Sequence, residues 1–271
     1  MPVQLSAHSQ TLLLFSTLAS QQEKHNQTHY LALVIAMVSN WRQKTIRSLT
    51  PALCHLCRLA LAPTEQHYFC HACLAQFPLM PRCKTCGLIT TKPVDMCGRC
   101  LKKPPIWHSL TCIGDYHYPL SQLTHQFKYQ RAFWLAPPLV QLLAEHIVEP
   151  APVIAAVPLH WRRYLWRGFN QSDLLAQQLS QKIGCEYWPS LFHRIRATPH
   201  QQGLSRRQRL TNLQGVFNLT SLPYPVDHIA IIDDVVTTGS TVKQLCRLLL
   251  DVGVQRVDIY CLCRTPEPSD S

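Results

Sequence analysis

Ile229-Ala230-Ile231-Ile232-Asp233-Asp234-Val235-Val236-Thr237-Thr238-Gly239-Ser240-Thr241 opens as an apolar run, ends that run on two adjacent carboxylates, and then turns into small hydroxyl-bearing residues. A helical pattern follows, with Val242, Leu245, Cys246 and Leu249 at i, i+3, i+4 and i+7, and Gly253 stands where that helix should stop. The order is strand, loop, helix, with the loop at the carboxyl end of the strand, where open α/β sheets bind their ligands. The chemistry suits a sugar phosphate. Backbone N–H groups of residues 237–241, with the hydroxyls of Thr237, Thr238, Ser240 and Thr241, could cradle a phosphate at the helix N-terminus. Gly239 lets the backbone approach closely, and Asp233 and Asp234 sit where ribose hydroxyls or Mg²⁺ would lie. A helix cap needs only one side-chain oxygen, so two acids followed by Thr-Thr-Gly-Ser-Thr exceed that role. The whole segment Asp233–Thr241, Val235 and Val236 included, is the candidate site.

This segment resembles, without a gap, the loop that binds phosphoribosyl pyrophosphate (PRPP) in type I phosphoribosyltransferases. The resemblance implies that the two acids contact ribose hydroxyls and that the following loop holds the 5′-phosphate.

Outward from that stretch, strand and helix signals alternate from Trp107 onward. Tyr118–Lys128 and Phe133–Val148 read as helices and Val153–Val157 as a short β-branched strand. Asn170–Lys182 is amphipathic, with Leu174, Leu175 and Leu179 on one face. The strand at Ile229–Ile232, the helix at Ser240–Val252 and a strand at Arg256–Cys261 complete the set. Such alternation predicts an α/β domain, over residues 107–265, with a mainly parallel sheet and crossover helices. Binding PRPP also requires a grip on its pyrophosphate. Pro158-Leu159-His160-Trp161-Arg162-Arg163, after the strand at Val153–Val157, supplies exposed N–H groups beside two arginines, which suit a diphosphate bridged by Mg²⁺. Arg167 follows in Arg167-Gly168-Phe169-Asn170-Gln171-Ser172. In that stretch Asn170 is a candidate N-cap, and Phe169 is placed to staple the helix start.

Of the 13 cysteines, eight form CxxC pairs: Cys54/Cys57, Cys70/Cys73, Cys83/Cys86 and Cys97/Cys100, separated by 12, 9 and 10 residues. Closely spaced pairs chelate metal more readily than they cross-link distant chain. Four thiolates make one closed tetrahedral Zn²⁺ site, so eight make two structural sites. Pairing in sequence order gives a double zinc ribbon over residues 51–103, while an interleaved cross-brace uses the same ligands. His55 and His71 lie inside the first two pairs as alternative donors. Gly87 and Gly98 suit the tight turns that bring backbone N–H groups to the sulfurs. So small a segment has little core of its own, which makes zinc its source of folding energy. Cys112, Cys185, Cys246, Cys261 and Cys263 read as buried small hydrophobes. Lys102-Lys103-Pro104-Pro105 reads as a linker.

A hydrophobic fraction of 46% is ample for a core. The formal charge of +11 comes from 26 Lys and Arg against 15 Asp and Glu. Nine of those cations fall between Ala156 and Leu210 with only two acids, Asp173 and Glu186, and such a stretch attracts polyanions such as pyrophosphate, nucleotide or nucleic acid. In residues 1–50 the apolar runs Leu12–Leu18 and Leu31–Val38 are shorter than the roughly 20 residues of a membrane span. No cationic segment precedes the first run, as a secretory signal would need. This N-terminal extension is assigned no function. The cysteine usage points to a reducing, cytoplasmic setting and the apolar runs to no stable membrane insertion.

The amino-terminal CxxC module, Arg167-Gly168-Phe169-Asn170-Gln171 and Asp233–Thr241, in that order, resemble the ComF/GntX family over roughly residues 50–265. That family comprises bacterial competence and DNA-utilisation proteins with a zinc ribbon and a phosphoribosyltransferase-like domain. The resemblance implies that Thr198–Phe217 is a mobile lid, with Arg206 and Arg209 closing over PRPP to exclude water. It also implies a role in uptake or utilisation of external DNA, with single-stranded DNA or DNA-uptake proteins as partners. Two readings follow: a module that binds PRPP or a nucleotide, or an active Mg²⁺-dependent transferase displacing pyrophosphate at the anomeric carbon. No residue declares itself as the reader of an acceptor base, which a selective transferase requires.

Overall fold

The computed structural model describes residues 52–62, 65, 67–159, 164, 168–195 and 215–265. The chain divides into two compact units, and nearly everything described belongs to the second, Cys54–Ser271. At its centre lies a parallel sheet of order β1-β7-β6-β2-β3. Its strands are β1 (Ser109–Asp115), β2 (Val153–Ala156), β3 (Glu186–Tyr187), β6 (His228–Val236) and β7 (Arg256–Arg264). A separate antiparallel pair, β4 (Phe192–Arg194) and β5 (Phe217–Leu219), stands beside it. The short helices α1 (His71–Leu74) and α2 (Gly98–Lys102) belong to the cysteine-rich region. The longer ones are α3 (Leu120–Tyr129), α4 (Ala136–Ala144), α5 (Gln171–Ile183) and α6 (Ser240–Asp251).

The continuous apolar run of β6 has a physical reason: both faces of the sheet are covered. Side chains alternate across a strand, so Ala230 and Ile232 face one core with Ile154, Tyr260 and Leu262. Helices α3, α4 and α5 close that core through Phe127, Leu139 and Leu175. Ile229 and Ile231 face the other core with Val153, Ile259 and Cys261, closed by Leu245 and Leu249 of α6 and by Phe192 and Phe217 of the antiparallel pair. Of the five cysteines outside the CxxC pairs, Cys112, Cys246, Cys261 and Cys263 are buried as expected, and Cys185 is half-buried.

Three differences from the sequence reading bear on the site. The strand expected at Ile229–Ile232 runs on to Val236, because β7 also continues to Arg264 and pairs Val235 with Cys263 and Val236 with Arg264. Asp233 and Asp234 therefore stand on the strand itself. The helix expected from Phe133 begins as a 3₁₀ turn at Phe133–Leu135 and becomes α-helical only at Ala136. Pro137 and Pro138, which lack an N–H, fit only the first turn of a helix, where none is needed. Asn170 occupies the N-cap position of α5 without a side-chain cap bond; its Nδ2 instead donates to the Val157 carbonyl at 3.1 Å, tying the helix start to the end of β2. Phe169 does pack inward, edge-on to Phe127 with ring centres 5.7 Å apart.

The cysteine-rich region lies against this body in two different ways. Cys54, Phe69 and Cys73 join the core beneath α3–α5. Residues 82–87 run along the free edge of β1, where the Leu110 N–H donates to the Lys84 carbonyl at 2.9 Å and Arg82 pairs with Asp115 at 2.7 Å. An exposed edge strand is a liability, and this segment covers it. Gly87 is required there twice over. Its φ is +72°, and a Cβ would fall 2.4 Å from Leu110 Cδ2.

Candidate functional site

A cavity of about 480 Å³ opens at the carboxyl end of β6. Asp233, Asp234, Thr237 and Gly239–Thr241 line one side, with Val157–Leu159 and Asn170–Ser172 opposite, and Tyr116, Lys128, Tyr129 and Arg194 complete the wall. The parallel sheet thus brings the end of β2, the start of α5 and the β6–α6 loop to one place, as open α/β sheets do.

The acids at its floor are electrostatically strained. Burial, followed by the adjacent Asp234 charge, pushes the Asp233 carboxyl up to about 7. Opposing this, its Oδ1 accepts the Asp234 N–H at 2.9 Å and the Ser172 hydroxyl at 3.3 Å. Asp234, which is buried, is held by Lys128, whose Nζ lies 2.9 Å from Oδ1. Burial of Lys128 would by itself lower its ammonium, but Asp234 and then Asp233 outweigh this and hold it above the ordinary lysine value. The floor therefore carries two acids and one half-buried cation.

The loop above the floor is held open by geometry. Gly239, at φ +70°, is the N-cap of α6, a left-handed conformation that side-chain-bearing residues avoid. A Cβ there would also lie 2.7 Å from Trp107 Cη2. The Thr238 hydroxyl donates to Ser240 Oγ at 3.0 Å. The first N–H groups of α6 have no intrahelical acceptor and carry the positive end of the helix dipole. Behind the loop, the buried Arg264 donates from Nη1 to the Val236 carbonyl at 3.1 Å and to the Thr237 carbonyl.

Of the candidate residues, the structure brings Asp233, Asp234, Val235, Val236, Thr237, Gly239, Ser240 and Thr241 to the cavity wall, with Thr238 bonded to Ser240 beside them. From the expected pyrophosphate loop, Pro158 and Leu159 line the same cavity. Arg162, Arg163 and Arg167, and residues 198–214 of the expected lid with Arg206 and Arg209, lie outside the described residues; at the lid's end Phe217 is in β5 and packs into the core. Sequence reasoning missed Lys128, Tyr116, Tyr129 and Arg264. Lys128 had only one visible signal, as the last residue of the expected helix Tyr118–Lys128.

The cysteines gather as Cys54, Cys57, Cys70 and Cys73, and as Cys83, Cys86, Cys97 and Cys100, with the sulfurs of each group within 4.8 Å of one another. Between the sequence-order and interleaved arrangements, this grouping is the sequence-order one. Sulfur separations of 3.8 Å for Cys57–Cys70, 3.7 Å for Cys86–Cys97 and 4.0 Å for Cys83–Cys100 are far longer than a disulfide. They match the edge of about 3.8 Å that a tetrahedron with Zn–S bonds of about 2.3 Å requires. Backbone N–H groups point at the sulfurs, Cys70 to Cys54 at 3.4 Å and Cys97 to Cys83 at 3.2 Å. Burial raises the Cys54 thiol, but N–H donors led by those of Cys57 and Cys70 outweigh it and bring it down to about 6, whereas burial and the neighbouring thiols push Cys73 up. Both groups fit zinc. Neither His55 nor His71 joins them.

The phosphoribosyl transferase domain model matches residues 171–270, which hold α5, β6, the loop and α6. The chain is 44% identical to the DNA utilization protein YhgH of Salmonella typhi over 224 residues, covering 79% of this chain and 98% of that protein. With the same-named protein of Escherichia coli K12 it shares 43% over 225 residues, 79% and 98% of the two chains. With Competence protein F of Haemophilus influenzae it shares 36% over 205 residues, 72% and 90%.

Proposed function

The chain belongs to the ComF/GntX family of DNA utilization and competence proteins, and we propose that it binds PRPP or a nucleotide at the β6–α6 loop in the service of using external DNA. One observation carries the ligand reading: paired acids on a strand end, a glycine-capped helix start and a half-buried lysine all face one cavity. In this reading Asp233 and Asp234 take the ribose hydroxyls, and Thr237–Thr241 take the 5′-phosphate. Arg162, Arg163 and Arg167 meet the pyrophosphate, and Arg206 and Arg209 close the lid. Mg²⁺, when bound with PRPP, neutralises charge on the diphosphate oxygens. Lys128 holds Asp234 in place and keeps a fixed positive charge within reach of the ligand. The two cysteine groups hold structural Zn²⁺. The reading places the protein in the cytoplasm, and no helix among the described residues is long and apolar enough to cross a membrane.

The alternative, an active transferase, has one observation in its favour. Tyr116 and Tyr129 line the same cavity and offer aromatic faces on which an acceptor base can stack.

Calorimetry with PRPP and Mg²⁺ on the wild type and on Asp233→Asn/Asp234→Asn tests the first reading. The wild type is expected to bind and the double variant to lose most of its affinity; a wild type that does not bind would sink both readings. Release of pyrophosphate with any base in a panel would move the protein to the transferase reading. Binding of single-stranded DNA that weakens with salt is expected of the basic stretch, and salt-insensitive binding would contradict phosphate contacts there.

A further inference from the structure

Two side chains run from the phosphate loop to the second cysteine group. The Trp107 ring lies against Gly239 so closely that a Cβ would meet Cη2 at 2.7 Å. Its Nε1–H donates to the carbonyl of Thr85, between Cys83 and Cys86, at 2.8 Å. Arg264 is 5% exposed. Its guanidinium donates from Nε to the Cys86 carbonyl at 3.0 Å and from Nη1 to the carbonyls of Val236 and Thr237. One rigid fork thus grips the main chain of a metal ligand with one prong and the entry to the phosphate loop with another. Lysine, a single ammonium on a flexible stem, could not reproduce this.

We propose that Trp107 and Arg264 are positioning residues through which the second cysteine group sets the shape of the phosphate loop, so that zinc in that group and a phosphate ester in the loop favour one another's binding. This rests on the PRPP reading given above. Zinc bound by four thiolates carries two net negative charges, so loading the group places a compensating charge beside the buried guanidinium. Loading also fixes the turn that presents the Thr85 and Cys86 carbonyls. The guanidinium and indole are then held, and with them the Val236 and Thr237 carbonyls and the wall under Gly239. Linkage makes the coupling reciprocal: whatever factor zinc adds to ligand affinity, the ligand adds to zinc affinity. The first cysteine group lies among Phe69, Phe77 and Leu74 against the helix-face core, so its zinc is expected to be indifferent to the ligand.

The test uses the full-length, zinc-loaded protein without substitution. Zinc is withdrawn with a chelator selective for it over Mg²⁺, and the freed thiols are alkylated and quantified peptide by peptide, with and without saturating PRPP and Mg²⁺. PRPP is expected to slow labelling of Cys83, Cys86, Cys97 and Cys100 by about five-fold or more, while Cys54, Cys57, Cys70 and Cys73 react at an unchanged rate. Trp107→Phe loses both the donor to Thr85 and the outer ring atoms that lie against Gly239. It should raise the PRPP dissociation constant about five-fold and shrink the selective protection. Equal protection of both groups, or of neither, in a protein that binds PRPP would overturn the coupling alone. A wild type that fails to bind PRPP in calorimetry would overturn the underlying reading and the coupling with it.

Discussion

The two cysteine groups use the same four ligands at nearly the same sulfur spacing, yet they join the protein by different forces. The first is embedded in apolar packing: Cys54 and Cys73 are buried in the same core as Leu139 and Leu143, and Phe69 and Phe77 stack beside them. The second has only a small apolar neighbourhood, Leu88 and Val94, and meets the body mainly through directional bonds from Arg82, Trp107, Leu110 and Arg264. Apolar packing is non-directional and adds stability without specifying orientation. Hydrogen bonds specify orientation, and a small change at one end is felt at the other. One group is therefore built to hold the fold together and the other to hold a loop in shape.

The largest effects should come from removing a ligand. Cys54→Ala and Cys100→Ala should each lose one zinc per chain by metal analysis. Both should fall well below the wild type in thermal unfolding, since structural zinc supplies on the order of 10 kcal/mol to small zinc modules. The comparison predicts a split beyond that shared loss: among molecules that remain folded, only Cys100→Ala should weaken PRPP binding. Equal weakening in both would break the distinction. Next in size is Arg264→Met, which takes the donor from the buried Cys86 carbonyl and cuts its link to Val236 and Thr237, while the Val236 carbonyl keeps the Thr265 N–H. Urea unfolding should show a loss of about 1–3 kcal/mol, the cost of one buried carbonyl left unpaired.

The strand–loop–helix at Ile229–Val252 and the four CxxC pairs were legible because each depends on local sequence, whereas which pairs join into one group was open and is set by the fold. A 3.6-residue period, a glycine at a left-handed position and a CxxC spacing are set by neighbours along the chain. Lys128 and Arg264 were not legible for the opposite reason. Lys128 meets Asp234 across more than a hundred residues, and Arg264 meets Cys86 across still more. Nothing in Phe127-Lys128-Tyr129 distinguishes that lysine from a solvated one. The extension of β6 past Ile232 was hidden likewise, because it depends on β7 continuing beside it to Arg264. Asn170 shows a subtler limit: its position as a helix cap was readable, but its side chain serves the Val157 carbonyl.

The acid pair sharpens the comparison from the loop side with a smaller effect. The folded protein holds a proton on Asp233 up to about pH 7, whereas an unfolded aspartate releases it near 3.8. Across that window the native state binds more protons than the unfolded one, so this group's contribution to stability falls as pH rises. Zinc sites act in the opposite sense, losing metal as pH falls. Unfolding midpoints of the ligand-free wild type and of Asp233→Asn, compared at each pH between about 5.5 and 7.5, cancel the zinc contribution common to both. The gap between them should widen in favour of the variant as pH rises, and a constant gap would remove the strained acid.

The smallest effect belongs to His67→Ala, at the polar margin of the first cysteine group. His67 Nδ1 meets Gln141 Nε2 at 2.6 Å and lies 3.8 Å from a Glu145 carboxylate oxygen, with the His67 and Glu145 side chains 41% and 49% exposed. A pair so open to water is worth about 0–1 kcal/mol. The variant should therefore unfold within about 1 kcal/mol of the wild type, keep both zinc ions and bind PRPP unchanged. Its value lies in the contrast with Trp107→Phe, which also removes one side-chain contact between a cysteine-rich segment and the α/β body. If a hydrogen bond matters only for the stability it adds, the two variants should perturb PRPP affinity alike. If the second group shapes the loop, Trp107→Phe should lower that affinity while His67→Ala leaves it untouched. A fall after His67→Ala of more than about two-fold would mean that the first group also reaches the loop, by way of α4 and the sheet, and the division between the two would no longer hold.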